Sequence, residues 1–381
     1  MKKNKSCDIC ASEMSHIWGL DNGIAPNYYC NTPSDDVTKR QDIFFCEGCQ
    51  MLANIHNFSL EDLFGKYVYR TPNTSMDLEI VDFLSHFIQE QDLHDVVEVA
   101  GNNGVFAEKL LDKTNIDDLS YTIIDTVTLS TNHKQITHID SFLEEGKRDL
   151  FSGLPPGLVI VRHALAHNVS IKKFFGDIVD ILTPDYVYIE NASLINTVHK
   201  QDYSQLYSEH FFQVSPSSIA AVGKLFGYAV LKLEQFEIHN GSFGIILHKA
   251  TRGLELSPRQ FTTDEVFGSV RNWADAVREF WLGLSHKGQK IVVWGCSAKF
   301  LFTYSALELG EICPVSYIID STPEKVGFYA PGTSVLVSHE KVIDDLGSDM
   351  LFVIGARNFE NHIRSKILEA CPDAQILCPP F

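Results

Sequence analysis

Asp95-Val-Val-Glu-Val-Ala-Gly-Asn-Asn-Gly104 is the stretch that decides the fold. A β-branched run ends in a loop with two glycines, Gly101 and Gly104, and a helical pattern follows at Val105, Phe106, Leu110 and Leu111. Strand, tight turn and helix in that order is how an α/β sheet offers free backbone N–H groups to a ligand at the carboxyl ends of its strands. Further on, Tyr121-Thr-Ile-Ile-Asp125 reads as the next strand and ends in an acid, which suits the two hydroxyls of a ribose. Ala100 stands where the first glycine of a Gly-x-Gly-x-x-Gly loop would be. That weighs against a dinucleotide and leaves an adenosyl ligand such as S-adenosylmethionine; an ordinary βα turn has the same pattern.

Outward from this loop, strands and helices alternate between Asp77 and Lys249. Strand candidates are Val96–Val99, Tyr121–Ile124, Leu158–Val161, Tyr186–Ile189, Ala229–Leu233 and Phe243–Leu247, with helical patterns at Gly104–Leu111, Ile171–Leu182 and Ser217–Leu225. The alternation predicts a mostly parallel, doubly wound sheet. Asp140 is placed to receive an adenine amino group. His163 and His167 follow the strand Leu158–Val161, where they line a cleft or simply cap and pack. Tyr207-Ser-Glu209-His210 puts a phenol, a carboxylate and an imidazole within four residues, which supplies acid and base near neutral pH. His239-Asn-Gly-Ser242 is a hairpin signal that also suits a substrate contact.

The chain has 381 residues, enough for two or three domains, and 45% of them are hydrophobic. Its formal charge of −18 disfavours a nucleic-acid partner, because phosphate backbones need clustered Lys and Arg. No apolar run is long enough to span a bilayer, and the basic start lacks the apolar core of a secretory signal, so the expectation is a cytoplasmic protein. Five of the nine cysteines fall in the first fifty residues. Cys7-Asp-Ile-Cys10 and Cys46-Glu-Gly-Cys49 are two knuckles able to close one tetrahedral four-thiolate site, which fits a structural zinc. The polar segment between them is too poor in apolar residues to build a core unaided, so metal would supply folding energy. Cys30 is an alternative ligand without a C-x-x-C partner; Cys296, Cys313, Cys371 and Cys378 read as small core residues.

The last third repeats the strand-loop-helix theme. A helical segment at Val266–Leu284 precedes the strand and loop Ile291-Val-Val-Trp-Gly295-Cys-Ser-Ala-Lys299. Val315–Asp320 is a strand ending in Asp, and Met350–Ile354 is followed by Gly355-Ala-Arg357-Asn358. Lys299, Arg357 and Asn358 sit where an anion would meet them.

The order of these pieces resembles one family closely: S-adenosylmethionine-dependent C-methyltransferases acting on nucleotide-linked keto-deoxysugars, the sugar C-3-methyltransferase group with an amino-terminal zinc module. Tyr67-Val-Tyr69 resembles its Tyr-Pro-Tyr element. Glu98-Val-Ala-Gly-Asn102-Asn-Gly104 resembles its Glu-Ile-Gly-x-Asn-Asp-Gly loop, and Tyr207-Ser-Glu209-His210 its Tyr-His-Glu-His element. His239-Asn-Gly-Ser242 resembles its His-Gly-Gly-Ser turn, and Gly295-Cys-Ser-Ala-Lys299 its Gly-Ala-x-Ala-Lys loop. Asp320 through Thr333 resembles Asp-x-x-Pro-x-Lys-x-Gly-x-x-x-Pro-Gly-Thr, and Gly355-Ala-Arg-Asn358-Phe resembles Ala-Trp-Asn-Phe. The chain departs from the family at Ala100 and Asn103 in the cofactor loop, at Ser208 for the first histidine, and at Arg357 for Trp.

The resemblance implies an α/β protein of three units: a small zinc module over 1–65, a Rossmann-like methyltransferase domain over 66–252, and a Rossmann-like α/β substrate-binding domain over 253–381. It implies that Glu98, Ala100, Gly101, Asn102, Gly104, Asp125, Asp140 and His163 hold S-adenosylmethionine. It implies that Tyr67, Asn191, His239, Ser242, Lys299, Asp320, Lys325, Arg357 and Asn358 hold a nucleotide-sugar. The chemistry it implies is removal of a proton beside a ketone, then attack of the enolate carbon on the sulfonium methyl. His210 is the expected base, with Tyr207 polarising the enolate oxygen, Glu209 holding the imidazole or a sugar hydroxyl, and Tyr69 closing the pocket. Tyr207 and His210 can exchange roles on this evidence. The expected assembly is a monomer without nucleic-acid or membrane partners; the alternative function is a non-catalytic binding protein on the same fold.

Overall fold

The computed structural model describes residues 5–33, 38–65, 76–154, 156–250, 252–257, 260–346 and 350–380. Tyr67 and Tyr69 lie outside the described residues.

Three sheets carry the architecture. The central one has seven strands in the spatial order Tyr228–Phe236, Ser242–Lys249, Tyr186–Ala192, Leu158–Arg162, Asp95–Val99, Ser120–Ile124 and Ile136–Ile139. All pairings are parallel except those of Ser242–Lys249 with both of its neighbours. The expected alternation is therefore present, with one reversed strand at the hairpin signal. Apolar runs such as Leu158-Val-Ile-Val161 are wholly buried, because helices cover both faces of a parallel sheet. The strand order reverses at Asp95–Val99, where Ser120–Ile124 lies on one side and Leu158–Arg162 on the other. That switch point opens a crevice at the carboxyl ends of these strands.

The carboxyl-terminal sheet is all parallel, in the order Val337–Ser338, Val315–Ile319, Lys290–Trp294, Met350–Ile354, Gln375–Leu377. It too reverses at its first strand. The 23-residue helix Thr263–Ser285 leads into it, started by a capping box between Thr262 and Glu265.

The stretch between the knuckles carries two long strands, Glu13–Ile24 and Thr38–Cys46, which with Met51–His56 form an antiparallel sheet extended at its edge by Phe212–Gln213 from the central unit. Its two faces serve two larger cores. Alternate residues of Thr38–Cys46 point to opposite faces: Ile43 and Phe45 join the core around Trp273, Trp281 and Phe300 of the carboxyl-terminal unit. Phe44 and Cys46 join the core around Val159, Val161 and Ile189 of the central sheet. Trp18 adds an edge-on contact to Trp273, with ring centroids 5.6 Å apart. The small sheet is thus the filling between two Rossmann-like units.

Candidate active site

The loop Ala100–Gly104 leaves the switch-point strand with left-handed backbone at alternate residues: Ala100 at φ 61°, Asn102 at 52° and Gly104 at 81°. At Ala100 this conformation costs roughly 1 kcal/mol relative to glycine. The zigzag turns the Asn102 N–H onto Asp125 Oδ2 at 2.7 Å, and Asp125 Oδ1 accepts the Val127 N–H at 2.8 Å. Each oxygen keeps a second lone pair, so the carboxylate is held rigidly with acceptor capacity to spare. Gly101 is required by close approach: a Cβ there would sit 2.9 Å from Glu98 Oε2 and 3.0 Å from Ile123. Glu98 is buried and accepts the Tyr121 hydroxyl at 2.9 Å; burial pushes its carboxyl up to about 7. Asp140 is exposed.

The carboxyl-terminal sheet repeats the device. Gly295, at φ 99°, places its N–H on Ile319 O as Ala100 does on Ile124 O, both at 2.8 Å. The Cys296 N–H meets Asp320 Oδ2 at 2.8 Å and the Thr322 N–H meets Oδ1 at 2.9 Å. One difference separates the two loops. Lys325 Nζ lies 3.2 Å from Asp320 Oδ2 and donates to Cys296 O at 2.9 Å. Tyr29, in the loop after the strand Glu13–Ile24, donates to the same carbonyl at 3.1 Å. Lys299 is half-buried at the start of the helix Ala298–Ala306, and burial lowers its ammonium. Arg357 and Asn358 line an open cavity of about 400 Å³ with Met76 and His362.

Between the sheets lies the turn that carries the phenol and the imidazole. Tyr207 Oη and His210 Nε2 are 2.8 Å apart, and His210 Nδ1 lies 2.8 Å from Gln205 O. A carbonyl can only accept, so Nδ1 carries the proton and Nε2 receives the Tyr207 hydroxyl. Burial, with His167 beside the ring, holds the imidazole well below its ordinary pKa. His167 packs edge-on at 4.8 Å and donates from Nδ1 to Glu209 O at 3.0 Å; burial pulls it down to about 4.

Glu209 does not meet the ring. Its two oxygens accept from Asn27 Nδ2 at 2.9 and 2.8 Å, and the group orienting His210 is the Gln205 carbonyl. Burial raises the Glu209 carboxyl to about 8 against the pull of the Asn27 donors. Its folded pKa lies above the unfolded 4.5, so the folded chain binds the extra proton between those values. Stability from this group is full below pH 4.5 and is lost as pH rises through about 8. Glu209→Gln should therefore unfold at a higher temperature than wild type at pH 8 and at a similar temperature at pH 5; equal melting shifts at both values would show that Glu209 is ionised in the fold.

A polar cluster around one buried carboxylate escapes sequence reasoning. Arg162 Nε and His163 Nε2 lie 2.7 and 2.8 Å from the two oxygens of Glu190, which is fully buried. Burial alone would raise Glu190, but Arg162 and His163 outweigh it and hold the carboxyl well below the usual range. Arg162 stacks over Phe106 at 3.6 Å. The readable signal is a charge ending an apolar strand, Leu158–Arg162 beside Tyr186–Ala192. His163, at φ 53°, is thereby tied to the strand ends. Asn191 Oδ1 is buried there without a partner among the described residues. Ser242 is buried and closes its own turn on Ile238 O at 3.2 Å; the His239 side chain is outside the described residues.

The four sulfurs of Cys7, Cys10, Cys46 and Cys49 lie within 4.8 Å of one another. Tetrahedral Zn–S bonds of about 2.3 Å require separations of roughly 3.8 Å, so the geometry is compatible with zinc.

Residues 260–374 match the family model "C-methyltransferase C-terminal domain". The chain is also similar to the C-methyltransferase NovU of Streptomyces niveus, with 22% identity over 77% of this chain and 75% of that protein. Both matches are to C-methyltransferases, one over the carboxyl-terminal third of this chain and one over most of its length. Two solved structures are similar in fold to part of it. One is an O-methyltransferase family protein from Burkholderia thailandensis, with TM-score 0.36, 16% identity, and coverage of 46% of this chain and 57% of that chain. The chain thus matches just over half of that protein's length. The other is magnesium protoporphyrin IX methyltransferase from Synechocystis, with TM-score 0.36, 10% identity, and coverage of 45% and 83%.

Proposed function

We propose that this protein transfers a methyl group from S-adenosylmethionine to a carbon beside a ketone, on a nucleotide-linked keto-deoxysugar or a related ketone. The observation that carries the reading is the Tyr207–His210 pair at 2.8 Å, whose tautomer is set by the Gln205 carbonyl.

A ketone acidifies its neighbouring C–H, and an enzyme must take that proton away while spreading charge onto the oxygen. With Nε2 accepting from Tyr207, the pair works as a relay. The substrate proton goes to Tyr207 Oη as the phenol proton passes to His210 Nε2. One C–H and one O–H bond break, one O–H and one N–H bond form, and the substrate is left as an enolate beside an imidazolium. This reading puts Tyr207 against the substrate and His210 behind it, and makes His210 the final holder of the proton. S-adenosylmethionine, when bound, supplies an electrophilic methyl group on a sulfonium. The rigid Asp125 carboxylate and the Ala100–Gly104 loop are the groups that would hold its ribose, with Glu98, Asp140 and His163 around them. Lys299, Asp320, Lys325, Arg357 and Asn358 would hold the nucleotide end of the substrate. Zinc at the four cysteines has a structural role, because four thiolates leave no open position.

Calorimetry with S-adenosylmethionine tests the cofactor site. Asp125→Ala removes both the ribose acceptor and the anchor of the Asn102 and Val127 N–H groups, and should weaken binding by about 1–3 kcal/mol. Unchanged affinity would remove Asp125 from the site. Methyl transfer to a nucleotide-linked keto-deoxysugar, followed by mass, tests the reaction. A wild type that binds the methyl donor and methylates none of the keto-sugars offered would move the substrate outside this class.

A further inference from the structure

The turn that carries Tyr207 and His210 is not held by its own unit. Every backbone carbonyl from Gln205 to Phe211 has a partner, and most partners come from the amino-terminal sheet. Asn54, buried in the strand Met51–His56, donates from Nδ2 to Leu206 O at 3.1 Å, Tyr207 O at 3.2 Å and His210 O at 3.1 Å. Its own backbone N–H meets Phe211 O at 2.8 Å, and strand pairing of Phe212 with Ala53 continues from there. His56 Nε2 reaches Ser208 O at 2.7 Å. Gln41 Nε2 donates to Asn54 Oδ1 at 3.1 Å, so the amide cannot flip without facing N–H to N–H.

We propose that Asn54 is a positioning residue for the Tyr207–His210 pair, gathering the carbonyls on both sides of it into one turn. The assignment rests on the relay reading above only for its catalytic consequence; the geometric claim stands on the hydrogen bonds. An amide is the one small side chain with two N–H donors to share among three carbonyls and an acceptor for Gln41. Without it, Leu206, Tyr207 and His210 lose a common donor, and the phenol and imidazole no longer have a fixed separation. Misplacement of about 1 Å at such a pair costs roughly a hundredfold in rate.

The test compares wild type with Asn54→Asp, which keeps the shape but turns acceptors toward three carbonyls, and with Asn54→Ala, which introduces no buried charge. Metal content and thermal unfolding identify which variants fold. Nitrogen-15 NMR of histidine-labelled protein then reads His210. Wild type should show one neutral tautomer with the proton on Nδ1. A folded, metal-loaded variant should show both tautomers or a shifted Nε2, turnover down by roughly a hundredfold, and S-adenosylmethionine affinity within about twofold of wild type. An unchanged His210 signature in a folded variant would overturn the proposal, whatever the activity. Should wild type methylate no keto-sugar, the NMR comparison still decides the positioning role, and the failure belongs to the substrate reading.

Discussion

Removing the metal, or replacing Cys46 by Ser, is expected to cost this protein several kcal/mol of stability, because structural zinc sites contribute folding energy outright, on the order of 10 kcal/mol in small modules. The loss should spread beyond the amino-terminal sheet. The second knuckle is wedged between the other two units. Gln50, next after Cys49, takes the Phe261 N–H on Oε1 at 2.8 Å and returns Nε2 to Phe261 O at 3.0 Å. Glu47 inside the knuckle accepts from Thr263 N and Oγ1 at 3.0 Å, at the start of the long helix. Ser218 of the central unit donates to Cys49 O at 2.9 Å. Asp8 in the first knuckle accepts from Ser170 Oγ at 3.0 Å and Lys172 N at 2.9 Å, at the start of the helix Ile171–Asp177. Calorimetric melting of Cys46→Ser should be lower by more than ten degrees or so and lack a separate transition for the carboxyl-terminal unit. Cys371→Ser, half-buried and away from the cluster, is the control. Metal analysis should return one zinc per wild-type chain. A metal-free preparation with wild-type melting would end the structural-zinc reading.

What can be read from the sequence follows from how each element is buried. Strands such as Leu158–Arg162 announce themselves because a parallel strand covered on both faces is a continuous apolar run. Ile136–Ile139 gives no such signal: it is an edge strand with Thr137 and His138 inside it and no fully buried residue. The amino-terminal sheet is hidden by its irregularity. Glu13–Ile24 pairs with Thr38–Cys46 through register shifts at His16/Trp18 and Leu20/Gly23, so its apolar positions do not keep a period of two. Asp125 is legible as an acid ending a buried strand, but its hold on the Asn102 and Val127 N–H groups is not. Glu209 is legible as a residue but not as a contact. In the turn 207–210 the imidazole folds back on Tyr207, three residues before it, while Glu209 faces Asn27. Asn27 and Asn54 carry no signal at all: each acts across more than 150 residues of chain, one from the turn after Glu13–Ile24 and one from a sheet whose existence the pattern does not show.

The largest catalytic effects are expected at the pair itself. His210→Asn should keep the fold and cofactor affinity but lower turnover by roughly two to four orders of magnitude, the range for a positioned acid-base group. Tyr207→Phe should cost at least as much, because in the relay the phenol oxygen is the atom that takes the substrate proton. Exchange of the substrate α-proton with deuterated water, without the methyl donor, separates the roles. The relay expects wild type to exchange, Tyr207→Phe to lose exchange, and His210→Asn to lose most of it, since the phenol proton then has no acceptor. If imidazole were the direct base, as the sequence alone suggests, Tyr207→Phe would still exchange while His210→Asn would not. The pH profile gives a second reading. A buried imidazole held well below its ordinary pKa is neutral from mildly acidic pH upward. Protonating it removes the acceptor for Tyr207, so turnover should fall only on the acid side, below the ordinary histidine range. A profile that rises through the ordinary histidine pKa of about 6.5 would mean that His210 titrates as an exposed side chain and that the 2.8 Å pair does not persist in solution.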